Sequence, residues 1–146
     1  MEKAITCSWI VYNQYTLDNI SHVFQYEYDF VELVLSSIDK TNIYRLSFYN
    51  VFSYAITLEH FLCNRYSQKE FELINPNRNA NIYQIQNSSY IKSLNQYGIY
   101  DLYSELPVSH YIIQTDTHFV DLIVRNSSKI IIFDILHGES SMLNVG

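Results

Sequence analysis

Alternating apolar and polar residues dominate this chain and predict a molecule built mainly from β-strands. The clearest period of two runs from Val23 to Phe30 (VFQYEYDF), where the aromatic residues would face a core and the polar residues between them would face water. Other runs rich in β-branched and aromatic residues predict further strands. These strands are Ile5–Tyr12, Ile43–Leu62, Lys69–Ile74, Val108–Thr115, His118–Arg125 and Ile130–Leu136.

Polar residues mark where these strands end or bend. The segment Asp39–Asn42 (DKTN) predicts a turn, and the pair Asp116-Thr117 predicts the tip of a β-hairpin. The long run of apolar residues in the middle of the chain is expected to bend near Asn50. The last three predicted strands would then form a meander, and the polar tail from about residue 138 is expected to be frayed.

Residues 88–98 (SSYIKSLNQYG) have the pattern of a short helix. Ser88 or Ser89 can cap the N-terminus, and the glycine at the end suits the C-terminus. Tyr90, Ile91 and Leu94 form an apolar stripe at helical spacing. Together with the strands, this helix predicts a single α+β domain over residues 1–146, with one or two helices packed against a mostly antiparallel, twisted sheet.

Charge and hydropathy restrict the partners that the protein is expected to bind. A net charge of −6 argues against duplex nucleic acid as the main ligand and suits a cationic protein partner. No segment approaches the ~20 apolar residues that cross a bilayer, and the N-terminus lacks a basic region followed by a long apolar stretch. We therefore expect a cytoplasmic protein that binds neither nucleic acid nor membrane.

Four ionisable side chains in one stretch raise the question of an active site: His110, Asp116, His118 and Asp121. In a hairpin with its tip at Asp116, His110 would lie near Val124, at the far end of the return strand and away from His118. Asp121 and His118 differ in parity, so their side chains would face opposite sides of the strand. The pattern therefore scatters these groups and predicts no metal site, no cofactor and no catalytic residue.

Sequence motifs of common enzyme classes are absent. The 3 glycines cannot build a glycine-rich phosphate loop, and the chain contains no Gly-x-Ser-x-Gly. Cys7 and Cys63 lie outside any metal-ligand spacing and are expected to be buried thiols. We therefore expect a non-catalytic protein. The alternative is a small metal-dependent or acid–base enzyme that uses His110, His118 and Asp121.

Tyrosine is strongly over-represented, with 14 residues in the chain. Aromatic area beside carboxylates suits a surface that binds a cationic protein. Such a combination lies around and after the end of the predicted helix and is our predicted partner-binding surface: Tyr97, Tyr100, Asp101, Tyr103 and Glu105. The alternative is that these tyrosines pack under a loop with their hydroxyls in water.

Three patches of the chain carry a family resemblance. They are the run FYNVFSY…LE (Phe48, Val51, Tyr54 and Glu59), the helix NSSYIKSL and the hairpin SHYIIQTDTHFVDLIV. Their apolar positions, over about the last two thirds of the chain, resemble those of small bacterial domains found beside polymorphic and contact-dependent toxins, whose members act as immunity proteins. The resemblance implies an antiparallel sheet with a helix against it and toxin neutralisation by tight binding, and it transfers no catalytic or contact residue.

The functional hypothesis is therefore an immunity-type inhibitor, monomeric or homodimeric, that binds a cationic toxin domain. Small size, negative charge, aromatic excess and the resemblance motivate it. Besides the enzyme described above, a structural or homo-oligomerising module remains an alternative, in which surface aromatics and strand edges form a homodimer.

Overall fold

Nine strands and one short helix form the regular structure of the part of the chain that a computed structural model describes. That part comprises residues 3–6, 15–24, 29–58, 82–96 and 107–146. In chain order the elements are β1 (Lys3–Thr6), β2 (Tyr15–Val23), β3 (Asp29–Ser37), β4 (Ile43–Leu58), β5 (Ile82–Gln86), α1 (Ser89–Gln96), β6 (Val108–Gln114), β7 (His118–Arg125), β8 (Lys129–Asp134) and β9 (Glu139–Asn144). The helix α1 is neither long nor apolar enough to cross a membrane.

All pairs among the described strands are antiparallel, and the nine strands belong to one sheet. The order along the sheet is β1-β5-β6-β7-β4-β3-β2, while β8 pairs with β4 and with β9. The mostly antiparallel sheet predicted from the sequence is thus confirmed. The described structure is more sheet-dominated than an α+β domain, because its helix has only 8 residues.

The long strand β4 is shared by two sets of neighbours. Its residues 51–58 pair with β7, and its residues 44–48 pair with β8. Because both partners run antiparallel to β4 on the same edge, β8 continues the direction of β7 instead of folding back on it. The predicted meander is therefore wrong at its last step: β6 and β7 form the expected hairpin, but β8 does not pair with β7.

An interruption crosses β4 and the β7–β8 connection at the same level. Asn50 and Ser127 have positive φ angles of 56° and 72°, and the Asn50 Nδ2 donates a hydrogen bond of 2.9 Å to the Ser128 Oγ. A left-handed residue turns the chain out of the flat strand conformation, and asparagine tolerates that conformation better than most residues. The irregularity predicted near Asn50 is present, and we call the Asn50–Ser127 level the crease.

The crease divides the sheet into two layers that enclose the core. The first layer contains β1, β5, β6, β7 and residues 51–58 of β4; the second contains β2, β3, residues 43–48 of β4, β8 and β9. Both contribute to one buried apolar cluster, which includes Leu33, Phe48, Ile113, Leu122 and Ile132. Hydrogen bonds also join the layers: the Asp116 N–H donates to the Tyr15 carbonyl at 2.7 Å, and the Leu17 N–H donates to the Thr117 Oγ1 at 3.1 Å.

The helix α1 packs on the outer face of the first layer. The Ile91 N–H donates a hydrogen bond of 3.1 Å to the Ser88 Oγ, so Ser88 is the N-cap. Tyr90 and Ile91 are buried and pack with Ile123 of β7. The predicted helix, its cap and its apolar stripe are confirmed over the described residues.

The strand predicted from Val23 to Phe30 is wrong. Val23 is the last residue of β2 and pairs with Phe30 of β3, so the prediction joins residues of two different strands; residues 25–28 lie outside the described part. Phe24, predicted to face the core, is 82% exposed. A short period of two does not distinguish one strand from the ends of two strands.

The end of the chain is ordered into a strand where fraying was predicted. β9 pairs with β8 along its whole length, and Val145, which follows it, is buried and exchanges backbone hydrogen bonds with Ser127 and Ser128. Several other predictions lie outside the described residues: the strand Lys69–Ile74, residues 7–12 of the first predicted strand and residues 59–62 of the long one.

Candidate functional site

The hairpin of β6 and β7 brings His110 and Asp121 together on the face that α1 covers. In the register of the hairpin His110 lies opposite Ile123, and Asp121 lies opposite Ile112, so His110 and Asp121 are diagonal neighbours. The His110 Nε2 lies 2.7 Å from the Asp121 Oδ1, and both side chains are buried. Buried polar groups of this kind are stable only when hydrogen-bonded.

Ser88 completes the arrangement from the start of α1. Its Oγ lies 2.7 Å from the His110 Nδ1, and Ser88 is also buried. The chain reaches this position through a sharp turn, because Asn87, between β5 and Ser88, has a φ of 55°. We call Ser88, His110 and Asp121 the buried triad.

One arrangement of protons in the triad makes Ser88 a donor to His110 and His110 a donor to Asp121. The Ser88 Oγ already accepts the Ile91 N–H, so its own hydroxyl proton is available to donate to the His110 Nδ1. A carboxylate can only accept, so the His110 Nε2–H donates to Asp121. In this arrangement one imidazole nitrogen faces a hydroxyl and the other is oriented by a carboxylate.

A cavity of about 480 Å³ adjoins the triad, and Ser88 and His110 form part of its wall. Residues of β5, the β5–α1 turn and α1 complete its lining: Gln84, Gln86, Asn87 and Lys92. Pockets that bind small molecules have volumes of about 300–1,000 Å³ and combine apolar walls with a few polar groups. The cavity is therefore of a size and composition that suits a small ligand.

The prediction that the hairpin scatters its ionisable groups is wrong for His110 and Asp121. The prediction placed His110 near Val124, whereas His110 lies opposite Ile123. It also did not include Asp121, the diagonal neighbour of His110. It is correct for His118, whose Nδ1 lies 2.9 Å from the Thr117 Oγ1 at the hairpin tip. Ser88 was recognised as a helix cap but not as a partner of His110, because the two are distant in sequence.

Metal binding finds no support among the described residues. No group of three or more His, Cys, Asp or Glu side chains in that part of the chain is placed to hold a metal ion.

Asp116, at the hairpin tip, is half-buried, and burial raises the pKa of its carboxyl. The set of residues available to the alternative enzyme therefore differs from the predicted one. His110 and Asp121 are in contact, His118 is not part of the group, and Ser88 is the third member.

A second feature lies where the β3–β4 turn and the β8–β9 turn meet. The Ile135 N–H donates a hydrogen bond of 2.9 Å to the Ile43 carbonyl, which sets the two turns on either side of the start of β4. Their apolar side chains are exposed: Ile38 by 58%, Ile135 by 39% and Leu136 by 51%. Exposed aliphatic residues on neighbouring turns form a candidate interaction surface.

Carboxylates lie on the same two turns as these apolar residues. Asp39 accepts hydrogen bonds from the Ser37 and Thr41 side chains, which lower its pKa. Burial opposes ionisation of Asp134, but hydrogen bonds from His137 outweigh it and lower the pKa of that carboxyl. We call residues 38–42 and 134–138, together with the nearby Asp18, the acidic end; Asp18 lies 3.9 Å from the Lys40 Nζ.

The negative charge of the acidic end helps to raise the pKa values of two nearby tyrosines. Burial raises the pKa of Tyr15 to about 12, and the charges of Tyr44, Asp39 and Asp134 contribute to the increase. Burial and the charge of Asp134 also raise the pKa of Tyr44. Negative charge at this end therefore acts on groups inside the core as well as at the surface.

The residues predicted to bind a partner lie outside the described part of the chain. These are Tyr97, Tyr100, Asp101, Tyr103 and Glu105. The acidic end was not predicted as a surface, although its DKTN turn was predicted.

Comparison with protein-family models, with curated proteins and with solved structures gave no match to this chain.

Proposed function

We propose that this protein is an immunity-type inhibitor that neutralises a bacterial toxin in the cytoplasm through a tight protein–protein contact. The observation that carries the proposal is the acidic end, where exposed apolar side chains lie among ionised carboxylates. Apolar anchors surrounded by charge are the usual composition of an energetically dominant contact region.

The charge of the acidic end selects a cationic partner. Asp18, Asp39 and Asp134 present carboxylates, whereas Lys40 carries the fixed positive charge of this group of residues. A partner with basic residues around an apolar recess would be steered towards this end and would bury Ile38 and Leu136 on docking. A basic toxin active site, blocked in this way, would be closed to its substrate.

The proposal is tested by co-expression with the protein encoded beside this protein's gene, assayed for toxicity on its own, and by titration of the two purified proteins. Leu136→Asp places a charge in the apolar centre and is expected to weaken binding by about 30-fold or more, the loss typical of a contact hot spot. Met142→Asp is the matched control, because Met142 on β9 is exposed to a similar extent, 53% against 51%. Its affinity is expected to stay within about threefold of the wild type.

Salt dependence checks the electrostatic part of the proposal. Association with the toxin is expected to slow as ionic strength rises, because screening shortens the range over which the carboxylates attract a cationic surface. Failure to protect cells from the toxin, or equal affinity of the Leu136→Asp and wild-type proteins, would reject the inhibitor proposal.

A further inference from the structure

The buried triad contains more than a helix cap requires. Capping is complete once the Ser88 Oγ accepts the Ile91 N–H. The contacts of 2.7 Å from Ser88 to His110 and of 2.7 Å from His110 to Asp121 add a hydroxyl, a base and an orienting carboxylate in series. This order is that of an activated nucleophile, in which a base removes the hydroxyl proton and a third group holds the base.

The backbone around Ser88 favours negative charge on its oxygen. The Ile91 N–H points at the Oγ, and the N-terminus of α1 carries the positive end of the helix dipole. Ser88 also sits where a strand passes sharply into a helix, with Asn87 in the left-handed region. Nucleophilic serines of many hydrolases occupy such a strand-to-helix turn, although this chain lacks their glycine motif.

A cavity that can hold a small substrate adjoins the triad. Ser88 and His110 lie on its wall, and its volume of about 480 Å³ accommodates a small molecule. Lys92, which also lines the cavity, can pair with a carboxylate. The site therefore suits a short-chain acyl ester that carries an acidic group.

We propose that Ser88 is the nucleophile of an acyl-transfer site, with His110 as its general base and Asp121 as a positioning residue. The Ser88 Oγ attacks the ester carbonyl carbon while its proton passes to the His110 Nδ1. The carbon–oxygen bond to the leaving group breaks, and the leaving alkoxide takes that proton and departs as an alcohol. Water then attacks the acylated Ser88, gives a proton to His110 and releases a carboxylic acid, and the proton returns to Ser88.

This activity is separate from the proposed inhibition of a toxin. The acyl-transfer site uses residues of β5, α1, β6 and β7, whereas the acidic end uses the β3–β4 and β8–β9 turns. Either proposal can therefore fail without affecting the other. Leu136→Asp, which tests toxin binding, is expected to leave ester hydrolysis unchanged.

The test is covalent labelling of the full-length protein by a fluorophosphonate, followed by mass spectrometry of its peptides. We expect one adduct, on Ser88, and hydrolysis of p-nitrophenyl acetate by the unlabelled protein. Ser88→Asn is the decisive variant, because asparagine keeps an N-cap but supplies no nucleophile. It is expected to lose both labelling and hydrolysis while its melting temperature confirms folding.

Two further variants separate catalysis from structure. Ser89→Ala alters the exposed neighbouring serine and is expected to label like the wild type. Asp121→Asn keeps an acceptor for the His110 Nε2–H but removes the charge, and kcat is expected to fall by about 100-fold or more while KM changes by less than about threefold. Absence of an adduct, or an adduct that persists in Ser88→Asn, would overturn the proposal and leave the triad as an anchor for α1.

Discussion

The two layers of the sheet share one core but differ in whether their outer faces are covered. The first layer lies under α1, and the polar groups there are buried and hydrogen-bonded to each other, as in the His110–Asp121 pair. On the second layer Arg45 and Phe133 are half-buried neighbours, with the Arg45 Cζ 4.9 Å from the ring centroid. On a covered sheet face each polar side chain therefore needs a specific hydrogen-bond partner. On an open face water can serve as that partner.

The largest expected effect comes from breaking the buried pair of the first layer. Asp121→Ala leaves the fully buried His110 without the acceptor of its Nε2–H. We expect the free energy of unfolding to fall by about 3 kcal/mol, measured by urea denaturation followed by circular dichroism. A loss below about 1 kcal/mol would mean that the covered face tolerates an unpaired imidazole, and the contrast between the layers would disappear.

A smaller effect is expected from pH, at the place where the hairpin tip of the first layer contacts β2. Because burial raises the pKa of Tyr15 to about 12 from an ordinary 10.0, the folded state keeps a proton that the unfolded state releases. The corresponding stability is present below pH 10 and is lost as the pH rises towards 12, by on the order of 2 kcal/mol. Urea denaturation at stepped pH should show a flatter decline for Tyr15→Phe; equal slopes would contradict this account.

The crease between the layers is tested by two substitutions at Asn50. Alanine disfavours the φ of 56°, whereas glycine adopts it readily, and both remove the hydrogen bond to Ser128. We expect Asn50→Ala to be less stable than Asn50→Gly by about 1 kcal/mol. Thermal and urea denaturation of the two variants measure the difference, and a more stable alanine variant would show that the left-handed conformation is not required.

The smallest effect is expected on the open face of the second layer. The Arg45 Nε and the Glu32 Oε2 lie 3.9 Å apart, and both side chains are partly exposed. Removing either partner by Glu32→Ala or Arg45→Ala is expected to cost less than about 1 kcal/mol, because water replaces the lost partner. A double-mutant cycle measures the coupling, and a value comparable to the loss in Asp121→Ala would break the comparison between the layers.

Features that depend on a few neighbouring residues could be predicted from the sequence. The cap and apolar stripe of α1, the Asp116-Thr117 hairpin tip and the irregularity at Asn50 all follow from local conformational preferences. The β6–β7 hairpin is also correct, because two apolar runs on either side of a short polar pair leave few other pairings.

Features that depend on register or on distant segments could not be predicted. The triad requires the diagonal relation of His110 to Asp121 and the arrival of Ser88 from another part of the chain. A shift of one residue in the hairpin changes which side chains meet. The acidic end likewise arises because two turns, far apart in sequence, meet beside the start of β4.

The shared strand β4 has a consequence for how the molecule comes apart. Because its residues 44–48 pair with β3 and β8 and its residues 51–58 pair with β7, melting β4 removes a neighbour from both layers at once. The described strands should therefore unfold in a single cooperative transition, with spectroscopic and calorimetric probes giving the same midpoint.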